Sequence, residues 1–287
     1  MGNTGAVLPL RPAHALLPLL LASVLSGCAL GAADPQTRPS ENPRTAGASA
    51  STPGTPGTVP PTTEAPRPLE GRTVALDPGH NGGNAGSAEI TRQVDDGRGG
   101  TKDCNTTGTA TNSDYAEHAF NWEVALEVRE QLEKQGASVV LSRDDDEGVG
   151  PCVDERGSFA DDADLLVSIH ANGTEDTSAQ GFHVIVPEPL DDEVAATDLA
   201  ADSADLGEVL VAAFEDAGLS PNPAYGEDGL VARSDIAGLN HASVPAAMVE
   251  CGEMRNVEDA ARMESPEGRS VYASAISAGI EEYLIGD

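Results

Sequence analysis

From residue 71 onward, short apolar runs alternate with longer stretches in which apolar residues return every three or four positions. The short runs, at 73–76, 138–141, 165–169, 182–186 and 246–249, have the length and composition of strands. The longest periodic stretch predicts a helix over 117–135: Phe120, Val124, Val128 and Leu132 share one face, and Gly136 stands where a helix C-terminal glycine belongs. Further helices are predicted at 154–161, 193–217 and 268–284, the last with Val271, Ala275, Ile276 and Ile280 along one side. Strands alternating with helices signal a mostly parallel sheet covered by helices. The expected class is therefore α/β: a single three-layer α/β/α domain over 71–287 with a mostly parallel twisted sheet of about six strands. No internal repeat is visible, and a domain of roughly two hundred residues can bury a sufficient core.

Before residue 71 this pattern is lost. Arg11 is followed by an apolar run over 15–25, too short to span a bilayer comfortably, which is the build of a secretory signal peptide. The run ends in Leu25-Ser26-Gly27-Cys28, which resembles the lipobox of bacterial lipoproteins. On that basis 1–27 is removed and Cys28 receives lipid; the alternative is a plain signal cleaved near Ala32 or Ala33, with Cys28 lost. Residues 28–70 are rich in Pro, Thr, Ser and Ala and poor in large apolar side chains, so they cannot bury enough surface to offset their ordering entropy. Their proline content favours an extended, semi-rigid tether. An exported protein held at the outer face of the membrane or in the wall is expected, or a secreted one if Cys28 is not lipidated.

The formal net charge of −32 lies mostly in the folded part and argues against nucleic acid as a partner, since polyanions are repelled. A monomer is expected. Of the four cysteines, Cys28 is assigned to lipid and Cys251 follows an apolar strand run. Cys104 and Cys152, both in polar, Gly-rich sequence, are left as a disulfide pair.

Three ionisable residues fall at or just beyond the ends of apolar runs: His80 after Val74-Ala-Leu-Asp-Pro-Gly, His170 after Leu165-Leu-Val-Ser-Ile, and Glu250 after Ala246-Ala-Met-Val. In open parallel sheets the carboxyl ends of the strands share one edge, where ligands bind. Two imidazoles and a carboxylate are the donor set of a catalytic zinc site whose fourth position is open. Spacing alone does not assemble them, because they lie far apart in sequence. It also leaves open a purely structural Glu250, paired with Arg143 or Arg156.

Asp77-Pro-Gly-His-Asn-Gly-Gly83, then Glu117 with Asn121 four residues on, then Ser168-Ile-His-Ala-Asn172, then Met248-Val-Glu-Cys-Gly252 resemble, in order, the motifs of the N-acetylmuramoyl-L-alanine amidase 3 family. The resemblance spans nearly the whole folded part. The stretch from Cys104 to Trp122, the cysteine pair and Gly252-Glu-Met-Arg-Asn256 are most similar to small mycobacterial-type members. The resemblance implies one zinc ion on His80, Glu117 and His170, with Glu250 as the catalytic carboxylate. It implies hydrolysis of the amide between N-acetylmuramic acid and L-alanine, in wall remodelling, cell separation or fragment recycling. Peptidoglycan or muropeptide fragments are then the partners, with the membrane reached through the lipid anchor.

Two other functions share these features: a zinc peptidase acting within the stem peptide, and a non-catalytic wall-binding regulator. Asn240 and His241 are further candidates for substrate contact, whereas His118 and His183 are expected to be bystanders. The segment 84–115 is longer than the turn usual in the family, and Cys251 and Glu253 replace a usual aliphatic–aromatic pair. The long loop, cross-linked through Cys104, is expected to cover the cleft. A palmitate analogue fed to cells is expected to label the protein through Cys28; a label that survives Cys28→Ser, or no label at all, refutes lipidation.

Overall fold

The computed structural model describes residues 67–189, 194–226 and 228–286. The expected signal peptide, Cys28 and the expected tether up to residue 66 lie outside the described residues. In chain order the elements are β1 Thr73–Pro78, β2 Gln93–Asp95, β3 Thr101–Asp103, α1 Glu117–Lys134, β4 Ser138–Leu141, α2 Glu155–Ser158 and β5 Leu165–Asn172. There follow β6 His183–Pro187, α3 Val194–Asp216, β7 Leu230–Arg233, α4 Ala237–Asn240, β8 Ala246–Glu253, α5 Val257–Glu264 and α6 Pro266–Gly286.

Six strands form one sheet in the order β4-β1-β5-β8-β6-β7, and β2 pairs with β3 in a separate antiparallel hairpin. All neighbours in the large sheet run parallel except β6 and β8. Because successive strand residues point to opposite faces, each strand supplies two cores. Val74, Leu76, Val167, Ile169 and Val249 enter the larger one, together with Phe120 and Val124 of α1, Leu206 and Phe214 of α3, and Tyr272 and Ile276 of α6. The Phe120 and Tyr272 rings meet edge-on there, with centroids 5.7 Å apart. Ala75, Leu166, Ile185 and Ala246 face the other way, against buried Ala160, Leu239 and Ala242, with half-buried Phe159, Ala163, Ile236 and Val244 packed around them. Short α2 and α4 are the helices on that side, so cover there is thin.

The expected α/β architecture is present, with differences of local origin. Leu69, inside the stretch assigned to the tether, is fully buried in the larger core, and its N–H donates to the Gln135 carbonyl at 3.1 Å. A single leucine among prolines leaves no compositional mark. The expected helix at 154–161 is a single turn. Strand β7, the hairpin, α4 and α5 were not predicted. For α5 the signal was available: Asn256 caps it, accepting from the Glu258 and Asp259 N–H groups.

The Cys104–Cys152 disulfide is formed and buried, packed with Val94. It ties the end of β3 to the segment entering α2, across 48 residues. A Cys104→Ser/Cys152→Ser variant is expected to lose about 4 kcal/mol of stability in the chain-entropy account. Denaturant melts of the two proteins measure this, and equal midpoints would show that the cross-link constrains nothing.

Candidate metal centre

Three donor groups converge beside the β1–β5–β8 edge: the imidazoles of His80 and His170 and the carboxylate of Glu117, with one ligand atom of each lying within 4.8 Å of the others. Each arrives from a different element. His80 sits two residues past β1, with φ 60°, a left-handed backbone conformation that a non-glycine residue adopts only when its surroundings impose it. Glu117 is the first residue of α1, at the positive end of the helix dipole. It begins the same buried stripe that continues through Asn121, Val124 and Val128. His170 lies inside β5 rather than at its end, because that strand runs on to Asn172.

Glu117 is the hub of the cluster. Its Oε1 lies 3.1 Å from His80 Nε2 and 2.9 Å from His170 Nδ1. The Ala171 N–H donates to the same oxygen at 3.3 Å, and the Thr109 N–H donates to Oε2 at 2.9 Å. Nδ1 of His80 faces the Thr106 carbonyl at 3.2 Å, so Nδ1 carries the proton and Nε2 presents its lone pair toward Glu117. A bare imidazole nitrogen and a carboxylate oxygen this close repel each other unless a proton or a metal cation lies between them.

The titration behaviour agrees with that requirement. Burial pulls the His80 pKa down, but Glu117 outweighs it and the net shift is upward. Burial pushes Glu117 up, yet His80 and His170 hold it well below the usual carboxylate range. The pocket is thus built around positive charge next to Glu117. Two neutral imidazoles and a carboxylate suit a divalent ion such as zinc.

Two buried arginines hold the backbone that presents His80. Arg156 donates to Asp77 Oδ1 at 2.6 Å, to the Pro78 carbonyl at 2.8 Å and to the His80 carbonyl at 2.7 Å. Arg143 donates to the Pro78 carbonyl and to that of His118, both at 2.9 Å, linking the His80 turn to the start of α1. Asp77 also accepts from Ser142 and Ser168 rather than from a histidine. Both arginines are committed here, so neither is the partner of Glu250.

Glu250 lies within β8, directly opposite His170 in the β5–β8 ladder. Its Oε2 is buried and has no hydrogen-bond partner among the described residues. Burial raises its pKa well above the ordinary carboxylate value, and the charges of Glu117 and Glu253 add to the effect.

Glu250, His80, His170 and Glu117 line one cavity of about 470 Å³ on the thinly covered face of the sheet. Ser168 and Met248 belong to its sheet wall, Ala237 and Leu239 of α4 to another, and Lys102 to Thr109 to a third. The long segment before α1 is therefore a wall of the site. The hairpin signal was present in Asp96-Gly-Arg-Gly-Gly100, a Gly-rich turn between two alternating runs.

Asn240 and His241 do not line this cavity. Asn240 donates to the carbonyls of Asp96 and Ser234 and accepts from Arg98, while His241 Nε2 lies 3.1 Å from the Asp95 carbonyl. Both residues thus contact the hairpin. His118 pairs with Asp146 at 2.7 Å. His183 stacks on Tyr225 at 4.1 Å, its pKa lowered to about 4 by burial and by Arg233.

Two glycines let the backbone wrap the cluster. A Cβ on Gly79 would sit 2.1 Å from the His170 ring, and one on Gly108 (φ +73°) would sit 2.8 Å from both Glu117 Oε2 and His80 Cδ2. Gly79→Ala is expected to displace the His170 ring and weaken binding of a divalent ion at least tenfold, in the range of disturbed ligand orientation. Metal titration of the folded variant, with circular dichroism as control, measures this. Unchanged affinity would refute the packing argument.

The family model for N-acetylmuramoyl-L-alanine amidase, Amidase_3, matches residues 74–282. An N-acetylmuramoyl-L-alanine amidase of Mycobacterium tuberculosis is 42% identical over 221 residues, covering 76% of this chain and 89% of that one. The crystal structure of the N-acetylmuramyl-L-alanine amidase Ami1 from Mycobacterium smegmatis superposes with a TM-score of 0.72 at 44% identity, covering 76% of this chain and 99% of that one. The apo form of Ami1 from Mycobacterium abscessus gives a TM-score of 0.71 at 43% identity, with 75% and 100% covered. The sheet thus agrees with the structural matches, and the chain belongs to the Amidase_3 family of N-acetylmuramoyl-L-alanine amidases.

Proposed function

We propose that this chain is a zinc-dependent N-acetylmuramoyl-L-alanine amidase, exported and held by a lipid on Cys28, that acts on peptidoglycan or its fragments during wall remodelling, cell separation or fragment recycling. The observation that carries this assignment is the pairing of two unlike groups in one cavity: the His80–Glu117–His170 cluster and, beside His170, a carboxyl of Glu250 with an unengaged oxygen.

His80, Glu117 and His170 would hold the ion. When bound there, zinc supplies Lewis-acid chemistry, activating water near neutral pH and polarising a carbonyl. The remaining work falls to the protein. Glu250 Oε2 accepts a proton from the water that attacks the lactyl carbonyl carbon. The same carboxyl returns the proton to the amide nitrogen as the carbon–nitrogen bond breaks, so the stem peptide leaves with a free L-alanine amine. The raised pKa of Glu250 suits both halves of this exchange, since a carboxyl poised nearer neutrality gives and takes a proton with less imbalance. Arg156 and Arg143 keep the His80 turn fixed, and the apolar and backbone-rich walls orient the substrate.

Purified folded domain is expected to contain one zinc per chain and to release, from muropeptides, N-acetylmuramoyl glycan and a peptide beginning with free L-alanine. Glu250→Ala is expected to lower kcat by about 10²- to 10⁴-fold, the usual contribution of a general acid–base group, while zinc content stays the same. Mass analysis of the digest together with metal content decides the matter. Cleavage inside the stem peptide, or full turnover by Glu250→Ala, would sink the assignment.

A further inference from the structure

A second polar network lies next to the metal cluster, and the reaction as described leaves it unused. Asn172 ends β5, two residues after His170, and lines the same cavity. Both directions of its amide nitrogen are committed: Nδ2 donates to Glu253 Oε1 at 2.8 Å and to the Tyr225 hydroxyl at 2.9 Å. An amide bound so has only its oxygen left to offer.

Glu253 is the carboxyl that fixes this orientation. It is the last residue of β8, three positions after Glu250, and is fully buried. Its Oε1 also accepts from Asn222 Nδ2 at 2.9 Å, and Asn222 is buried too. The Glu253 Oε2 has no hydrogen-bond partner among the described residues. Tyr225 is braced in turn by stacking on His183, the register neighbour of Glu250 across β6 and β8. Burying a carboxyl is costly, and the side-chain donors this one meets are two asparagine amides, whose orientation it fixes.

We infer that Asn172 is a substrate-binding residue whose Oδ1 accepts an amide N–H of the muramoyl peptide, and that Glu253 is the positioning residue that turns the Asn172 amide to present that oxygen. This rests on the amidase assignment and deepens it. An acceptor beside a water-activating centre discriminates in favour of substrates carrying an N–H at a set distance from the scissile carbonyl. Setting aside the N–H of the scissile amide, whose nitrogen must itself take up the proton, two such groups flank that carbonyl in the substrate: the 2-acetamido N–H of the sugar, and the peptide N–H that follows L-alanine. Glu253 itself does not meet the reacting atoms. Its contribution passes through Asn172.

The test uses the full folded protein with zinc bound and three soluble substrates. The parent is an N-acetylmuramoyl peptide; one analogue carries a 2-acetoxy group in place of the 2-acetamido group, and the other an ester in place of the amide after L-alanine. Each analogue replaces a single N–H by oxygen. Asn172→Ala is expected to lower kcat/KM on the parent about three- to tenfold, the worth of one neutral hydrogen bond, through KM rather than kcat. On one of the analogues the wild-type enzyme is expected to lose the same factor and Asn172→Ala to lose nothing further. The acetoxy analogue behaving so assigns the sugar N–H; the ester behaving so assigns the peptide N–H.

Glu253→Ala is expected to show the same loss on the parent and the same insensitivity to that analogue, with zinc content unchanged, and Glu253→Gln, which keeps an accepting oxygen, to recover most of it. Additive losses for Asn172→Ala on both analogues would overturn the binding role. Glu253→Ala with full analogue discrimination would overturn the positioning role. Wild-type enzyme inert on the parent substrate would instead count against the amidase assignment, so the two failures are distinct.

Discussion

A carboxylate removed from water between two imidazoles is the constraint around which this molecule is arranged. Glu117 is buried, and a buried anion persists only with compensating positive charge or donors. Here the compensation comes from three directions: the dipole of α1, two backbone N–H groups, and whatever cation or proton the two histidines share with it. Each of those contributors must be delivered to within hydrogen-bond reach by a different part of the chain. The start of α1, the turn after β1, the interior of β5 and the loop carrying Thr106 and Thr109 are therefore locked to one point. The left-handed backbone at His80 and the close approach of Gly79 to the His170 ring are local costs of that convergence.

The uneven covering of the sheet explains why the cavity lies where it does. On one face α1, α3 and α6 bring large side chains, and nothing polar except Glu117 and Asn121 enters from α1. On the other face the strands offer Ala75, Ser168 and Met248, and the covering helices are single turns. Hydrophobic burial on the first face supplies the stability that lets the second stay open. The hairpin and the disulfide then restore order to the walls without filling the space.

Much of this was legible in the sequence, for identifiable reasons. Phe120, Val124, Val128 and Leu132 announce α1 because their spacing is the helix period, and all four are buried. His80 and His170 could be singled out because they follow apolar runs. Glu117 could not be: a helix-start glutamate is ordinary, and only the resemblance to a family raised it. The sequence was misleading where a short apolar run hid a longer strand, so that His170 and Glu250 looked like strand ends when they lie inside β5 and β8. The hairpin contacts of Asn240 and His241 were not legible either, because a contact between segments about 140 residues apart has no local signature.

The pairing of His170 with Glu250 across β5 and β8 has one more consequence. Their separation is set by a ladder of backbone hydrogen bonds, so the sheet itself acts as the ruler between the imidazole of the donor cluster and the unengaged Glu250 carboxyl. Side-chain period in a strand is two, and a slip of β8 by a single residue would bring Val249 or Cys251 opposite His170 and turn Glu250 to the far face. Strand register, usually a matter of folding fidelity, is here a parameter of the site's geometry.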